Sequence, residues 1–183
     1  MRGIIMANKQ IVFKAHLDVS DMNHHRYEHK DVTISLLPKE DIEHFLLKLI
    51  GYCLLPLESA FWSKTNDQPI HPDLGLQDEI GDYTLWIEVG FPSQKRLDKA
   101  CQLAKKVVLI TPKESEWLDN MKSYLRKRAI KVIAIDIKFL NQLQIDISKR
   151  LDWSVIIEHN KLTISNDLGY YETSLPQDCD IVY

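Results

Sequence analysis

The chain has 183 residues, 45% of them hydrophobic, with 23 Lys+Arg against 26 Asp+Glu and a net charge of -3. That length suits one domain able to bury about two thirds of its unfolded surface. The near-neutral charge excludes the global basic field that drives indiscriminate nucleic-acid binding, so any nucleic-acid site has to be local. Cys53, Cys101 and Cys179 are odd in number, far apart and without CxxC spacing. They exclude a disulfide framework or zinc ribbon and fit a cytoplasmic location.

Residues 1–10, MRGIIMANKQ, carry Arg2 and Lys9 around an apolar run too short for a secretory or membrane segment. They are expected to be a disordered extension, with Met6 as the usual start, and 11–183 to form a single domain without a membrane partner. "IVFKAHLDV" from Ile11 alternates apolar and polar residues, and "DVTISLL" repeats the period after "SDMNHHRYEHK". The pair predicts a long hairpin. His24, His25 and His29 fall in its loop. With no obvious fourth ligand, a solvated loop explains them better than a metal site.

A helix is predicted from Pro38 through Leu55, because Ile42, Phe45, Leu46, Leu49, Ile50, Cys53 and Leu54 recur at helical spacing. Glu43 falls at the edge of that apolar stripe, whereas Asp41, His44 and Lys48 are expected to face water. Residues 56–81 carry three prolines and two glycines and read as loops with one or two short strands, the second strand of a hairpin following Gly81.

"DYTLWIEVG", residues 82–90, has the period of two that sends alternate side chains to opposite faces of a sheet. Glu88 therefore shares a face with Trp86, inside what otherwise reads as a buried strand. Buried alone, such a carboxylate costs several kcal/mol in order of magnitude, so it must be paired, metal-bound or at a strand end. Pro92-Ser93 starts a helix whose stripe is Leu97, Ala100, Cys101, Leu103 and Ala104, and "VVLIT" follows as a strand covered on both faces. Strand, helix and apolar strand predict a right-handed βαβ crossover with parallel strands, hence an α/β core. "ESEWLDNMKSYLRKRA" reads as a helix, "IKVIAIDI" as a strand, "FLNQLQIDISKR" as a helix, and "WSVIIEHNKLTISND" as a closing hairpin.

In a βα unit the helix start lies beside the carboxyl end of the strand, where open α/β sheets put their ligands. Helical side chains lean toward the helix N-terminus, so Lys99 is expected to reach back to Glu88, with Arg96 on the same edge of the stripe. "HPDLGLQDE" supplies Asp73, Asp78 and Glu79 shortly upstream. Two carboxylates and a cation are the equipment for metal-assisted phosphodiester hydrolysis. From spacing alone a structural Glu88–Lys99 ion pair accounts for the pattern better. Trp62, Trp86, Trp117 and Trp153 are dispersed, which favours core or rim over a base-stacking surface, with Trp86 as the exception that could wall a pocket. Cys101 reads as a packed small hydrophobe, and the basic cluster in "LRKRAIK" as a helix C-terminus satisfied by its dipole.

The segment "PDLGLQDEIGDYTLWIEVGFPSQKRLDKACQLAKKVVLIT" resembles the signature of the YaeQ family, and "SDMNHHRYEHKDVTISLLPKEDIEHFLLKLIGY" is similar to that family's N-terminal part. The resemblance spans nearly the whole chain. It implies a restriction-endonuclease-like, PD-(D/E)XK fold: a mixed sheet flanked by helices, with the two hairpins at its ends. Mapped residue by residue it implies Asp73 and Glu88 as ligands of Mg²⁺ or Mn²⁺ and Glu43 as an auxiliary helical acid; Lys99, the one residue that could substitute for the family's lysine, and Arg96 beside it on the helix are the expected phosphate-facing cations. It implies nucleic acid as the partner but no established reaction; a non-catalytic module that binds nucleic acid or a protein is the alternative. The sequence departs from the pattern where the lysine of ExK falls on Gly90, where His71 precedes Pro72, and where Leu37-Pro38-Lys39 replaces His-Pro-Ser.

Overall fold

The computed structural model describes residues 10–38, 40–63 and 71–177. The expectation of disorder for 1–10 thus falls, apart from Gln10, outside the described residues. In chain order the elements are β1 (Ile11–Asp21), β2 (Arg26–Leu36), α1 (Ile42–Cys53), β3 (Phe61–Trp62), β4 (Leu74–Gln77), β5 (Tyr83–Val89), α2 (Gln94–Leu103), β6 (Ala104–Pro112), α3 (Glu116–Lys127), β7 (Lys131–Ile135), α4 (Ile137–Ile145), β8 (Arg150–Glu158), β9 (Lys161–Ser165) and β10 (Tyr170–Ser174).

Two mixed five-stranded sheets form, not one. The first has the order β10-β9-β8-β1-β2 and the second β3-β4-β5-β6-β7. The N-terminal hairpin runs from Ile11↔Leu36 to Asp21↔Arg26. Its turn is confined to residues 22–25, so His29 belongs to β2 and not to a loop. The terminal hairpins are joined because β1 pairs in parallel with β8, from Lys14↔Arg150 to Asp21↔Ile157. β10, which the sequence pattern did not suggest, extends that sheet antiparallel to β9.

In the second sheet β4 and β5 form the expected hairpin, and β5, β6 and β7 are parallel. Its two faces are covered by different helices. On one, Trp86, Val107 and Leu109 pack with Leu97 and Ala100 of α2 and with Leu118, Met121 and Leu125 of α3. On the other, Leu85, Ile87, Val89, Val108 and Ile110 join α1 and α4 and the inner face of the first sheet (Phe13, Leu17, Trp153, Val155) in one continuous core. The outer face of the first sheet is exposed, as the alternating burial of β8 records.

This layering corrects two helix expectations. α1 starts at Ile42, because Glu40 N bonds Leu37 O, closing a turn, and Asp41 then caps the helix by accepting from His44 N at 2.7 Å. Since α1 lies between two sheets, every residue from Phe45 to Cys53 is buried, Lys48 among them at 0% exposure. In α2 the buried stripe is Leu97 and Ala100 alone; Cys101 is half-buried, Leu103 is exposed at the helix end, and Ala104 already opens β6.

A candidate active-site pocket at the carboxyl edge of the second sheet

At the carboxyl end of β5 the chain passes through Gly90, whose φ of +77° favours glycine, and re-enters a helix at Ser93, whose side chain caps α2 by accepting from Arg96 N. Asp73 arrives at the same edge from the residue before β4. Its N–H donates to Ile87 O at 3.1 Å, and its Oδ2 accepts from Val89 N at 2.9 Å. Glu88 is 1% exposed. Its Oε1 accepts from Trp86 Nε1 at 2.6 Å and its Oε2 from Arg96 Nε. Asp73, Glu88 and Arg96 line one cavity of about 260 Å³ with His44, walled by Val89, Phe91 and Pro92.

Arg96 also donates to His71 O at 3.2 Å, so one guanidinium ties β5 to the loop ahead of β4. Trp86, the residue singled out for its face, supplies an N–H to Glu88 from full burial rather than an aromatic wall. Lys99 does not meet Glu88. It is exposed on the outer surface of α2, while Arg96, one turn earlier and nearer the sheet edge, makes the contact. Glu43 is half-buried and does not line the cavity.

The group that sequence reasoning missed comes from α1 and the turn before it. His44 Nε2 stands 3.7 Å from Asp73 Oδ1 and 3.5 Å from Glu40 Oε1. Glu40 is buried; its Oε2 accepts from Leu37 N at 3.0 Å, and its Oε1 has no hydrogen bond among the described residues. Lys48, one turn beyond His44, donates to Ser63 O at 3.0 Å and sits 4.7 Å from the centre of the Trp62 ring. A Cβ at residue 90 would come within 3.1 Å of His44 Nδ1. The imidazole therefore stands where the side chain of a lysine at 90 would begin.

The electrostatics follow from burial. Glu88 is pushed up to about 7 by desolvation and by the Asp73 charge, against the opposing pull of Arg96 and the Trp86 hydrogen bond. For Asp73 desolvation acts upward, but His44, Lys48 and Arg96 outweigh it and hold the acid below its usual range. Burial lowers His44, yet Asp73 and Glu40 raise it on balance. Glu40 is raised, chiefly by burial, and Lys48 is lowered by burial despite the charges of Glu40 and Asp73. Glu43 is raised by its own partial burial and by Asp41.

Among the described residues no three or more His, Cys, Asp or Glu side chains are grouped to hold a metal ion. That donor set does not suit a structural zinc cage. Two carboxylates are enough for Mg²⁺ or Mn²⁺, since Mg²⁺ keeps several waters and needs only one or two, and the Asp73 charge that raises Glu88 would be offset by a cation between them. Asp73 and Glu88 would hold such an ion.

Two mixed sheets, four helices and a buried acid pair beside a guanidinium at a carboxyl strand edge define an α/β protein with a polar cavity in the usual ligand position of that class. The chain belongs to the YaeQ protein family, whose model matches residues 6–175. The "Uncharacterized protein YaeQ" of Escherichia coli (strain K12) is 23% identical over 174 residues, covering 93% of this chain and 96% of that one. Its namesake in Salmonella typhi is 29% identical over 104 residues, 57% of this chain and 58% of that one. The crystal structure of YaeQ from Xanthomonas axonopodis pv. citri has a TM-score of 0.83 at 24% identity, covering 92% of this chain and 99% of that one. YaeQ from Pseudomonas syringae gives 0.84 at 21% identity, covering 91% and 94%. These likenesses establish the fold. No helix among the described residues is long and apolar enough to cross a membrane.

Proposed function

We propose that this protein is a cytoplasmic, divalent-metal-dependent phosphodiesterase acting on nucleic acid, its second sheet being a variant of the restriction-endonuclease-like PD-(D/E)XK arrangement. The observation that carries this reading is that Asp73 and Glu88 open into one cavity together with Arg96. Asp73 and Glu88 would hold Mg²⁺ or Mn²⁺, whose chemistry there would be to polarise a phosphoryl oxygen and lower the pKa of a water nucleophile. The chain's own residues do the rest. Arg96 offers a planar donor fork to a phosphate, a charge that stays on at any physiological pH. His44, in place of a lysine at 90, offers a proton donor at the same edge. His44 itself, with the buried Lys48 and Arg96 behind it, holds Asp73 in its ionised form.

A second reading has a specific observation behind it. Glu88 already accepts from both Trp86 and Arg96, and Asp73 from Val89, so the acids are satisfied without an ion. On that reading the protein is a non-catalytic module of the same fold that binds nucleic acid or a protein. Incubating wild type, Glu88→Gln and Asp73→Asn with single-stranded, duplex and branched DNA or RNA plus Mn²⁺ separates the two. Cleavage by wild type, lost in both variants, with a Mn²⁺-dependent thermal shift confined to wild type, is expected. Equal Mn²⁺ shifts in wild type and Glu88→Gln, with no cleavage, would leave the binding module.

A further inference from the structure

Phe91 is 50% exposed, although it stands two residues beyond the end of a strand whose residues are almost all buried. It walls the cavity that holds Asp73, Glu88 and Arg96. Its ring meets Trp117, in the first turn of α3, edge to face at 5.5 Å between centroids and 62° between planes. Trp117 is itself half-buried and packs against the core between α2, α3 and the sheet. An edge-to-face neighbour fixes the orientation of a ring without covering both of its faces. An apolar ring braced on one side and half in water beside a charged cavity suits a ligand with a flat apolar part next to an anionic part. An unstacked nucleotide has both.

We propose that Phe91, backed by Trp117, is a stacking platform for an unpaired nucleobase, and that the ligand of the adjoining pocket is single-stranded nucleic acid. The inference rests on the phosphate-directed reading of the pocket given above and narrows it. Every base has a π-face, so such a platform is tolerant of sequence. In a duplex those faces are occupied by neighbouring bases, and only a loop, end or single strand can present one. Arg96 lines the same cavity as Phe91 and supplies a cation for an attached phosphate.

The test is fluorescence anisotropy at low salt without metal. The probe is a fluorescein-labelled oligothymidylate of about 12 nucleotides, within the span of one groove. Its abasic counterpart and a duplex are the competitors. Wild type is expected to bind the single strand more tightly than either. Phe91→Ala should weaken binding about 5- to 150-fold; Phe91→Leu, which keeps apolar bulk, should weaken it as well, while Phe91→Trp retains it. Trp117→Ala is checked by circular dichroism because Trp117 is partly in the core; the half-exposed Phe91 carries the conclusion. Equal affinity for the abasic strand, tighter binding of the duplex, wild-type behaviour of Phe91→Leu, or no binding by wild type overturns the platform. If binding depends on Phe91 while Mn²⁺ produces no cleavage, the phosphodiesterase reading fails and the platform stands.

Discussion

Glu88 is the residue through which pH acts most directly. In the folded protein it keeps its proton up to about 7, against 4.5 for an ordinary glutamate, so between those values the folded state binds more protons than the unfolded chain. Stability therefore falls as pH rises from 4.5 to about 7. His44, raised above 6.5, contributes stability that is complete below that value and is lost as pH climbs through its folded pKa. Asp73 works in the opposite sense: held below 3.8, it stabilises above that pH and loses the contribution in acid. The thermal midpoint of wild type should decline across the Glu88 window, and Glu88→Gln should flatten that slope. A wild-type slope no different from that of Glu88→Gln would show that Glu88 is ionised in the fold. At this scale strand alternation placed Glu88 and the strand-to-helix turn placed Arg96, whereas spacing offered Asp73 only alongside Asp78 and Glu79, and the family resemblance singled it out. The sequence pattern misdirected attention to Lys99 and passed over His44 and Lys48. A helical wheel assumes one wet face, and α1 has none. The missed signal was a lysine within FLLKLIGYCLL, where all neighbours are apolar.

At the scale of elements, the site depends on how closely β4 is laid against β5. Gly75 makes that approach possible: a Cβ there would stand 2.6 Å from Leu85 O, a backbone atom that cannot swing aside. Gly75→Ala should therefore prise β4 from β5 and displace Asp73, two residues upstream, from Val89 N. A loss of about 1–3 kcal/mol by urea unfolding is expected, as for other overpacked sites, with weakened Mn²⁺ response in the folded fraction. Unchanged stability would mean that the hairpin can open at no cost. The elements themselves were largely legible, since each hairpin and βα unit is written in residues close together in sequence. The parallel pairing of β1 with β8 was not, because nothing local in residues 14–21 names residues 150–157 as partners.

For the whole molecule the decisive fact is that one core runs from the inner face of the first sheet through α1 and α4 to the second. Neither sheet can keep its apolar face covered if the other is lost, so unfolding should be a single event. Circular dichroism and tryptophan fluorescence should give superimposable denaturation curves, Trp153 reporting the first sheet and Trp86 the second. Separate transitions would show two independent units. The strand, helix, strand pattern foretold the α/β class, yet the division into two sheets is a property of long-range pairing that no local pattern carries.

The meeting of Gly90 with the His44 ring also bears on transplantation. The contiguous stretch from Pro72 to Lys99 carries both acids and the guanidinium, and looks like a portable cassette. It is not one: a bare backbone at one end has to receive an imidazole delivered by a separate stretch of chain, so a chimera built from the cassette alone would inherit a notch with nothing in it.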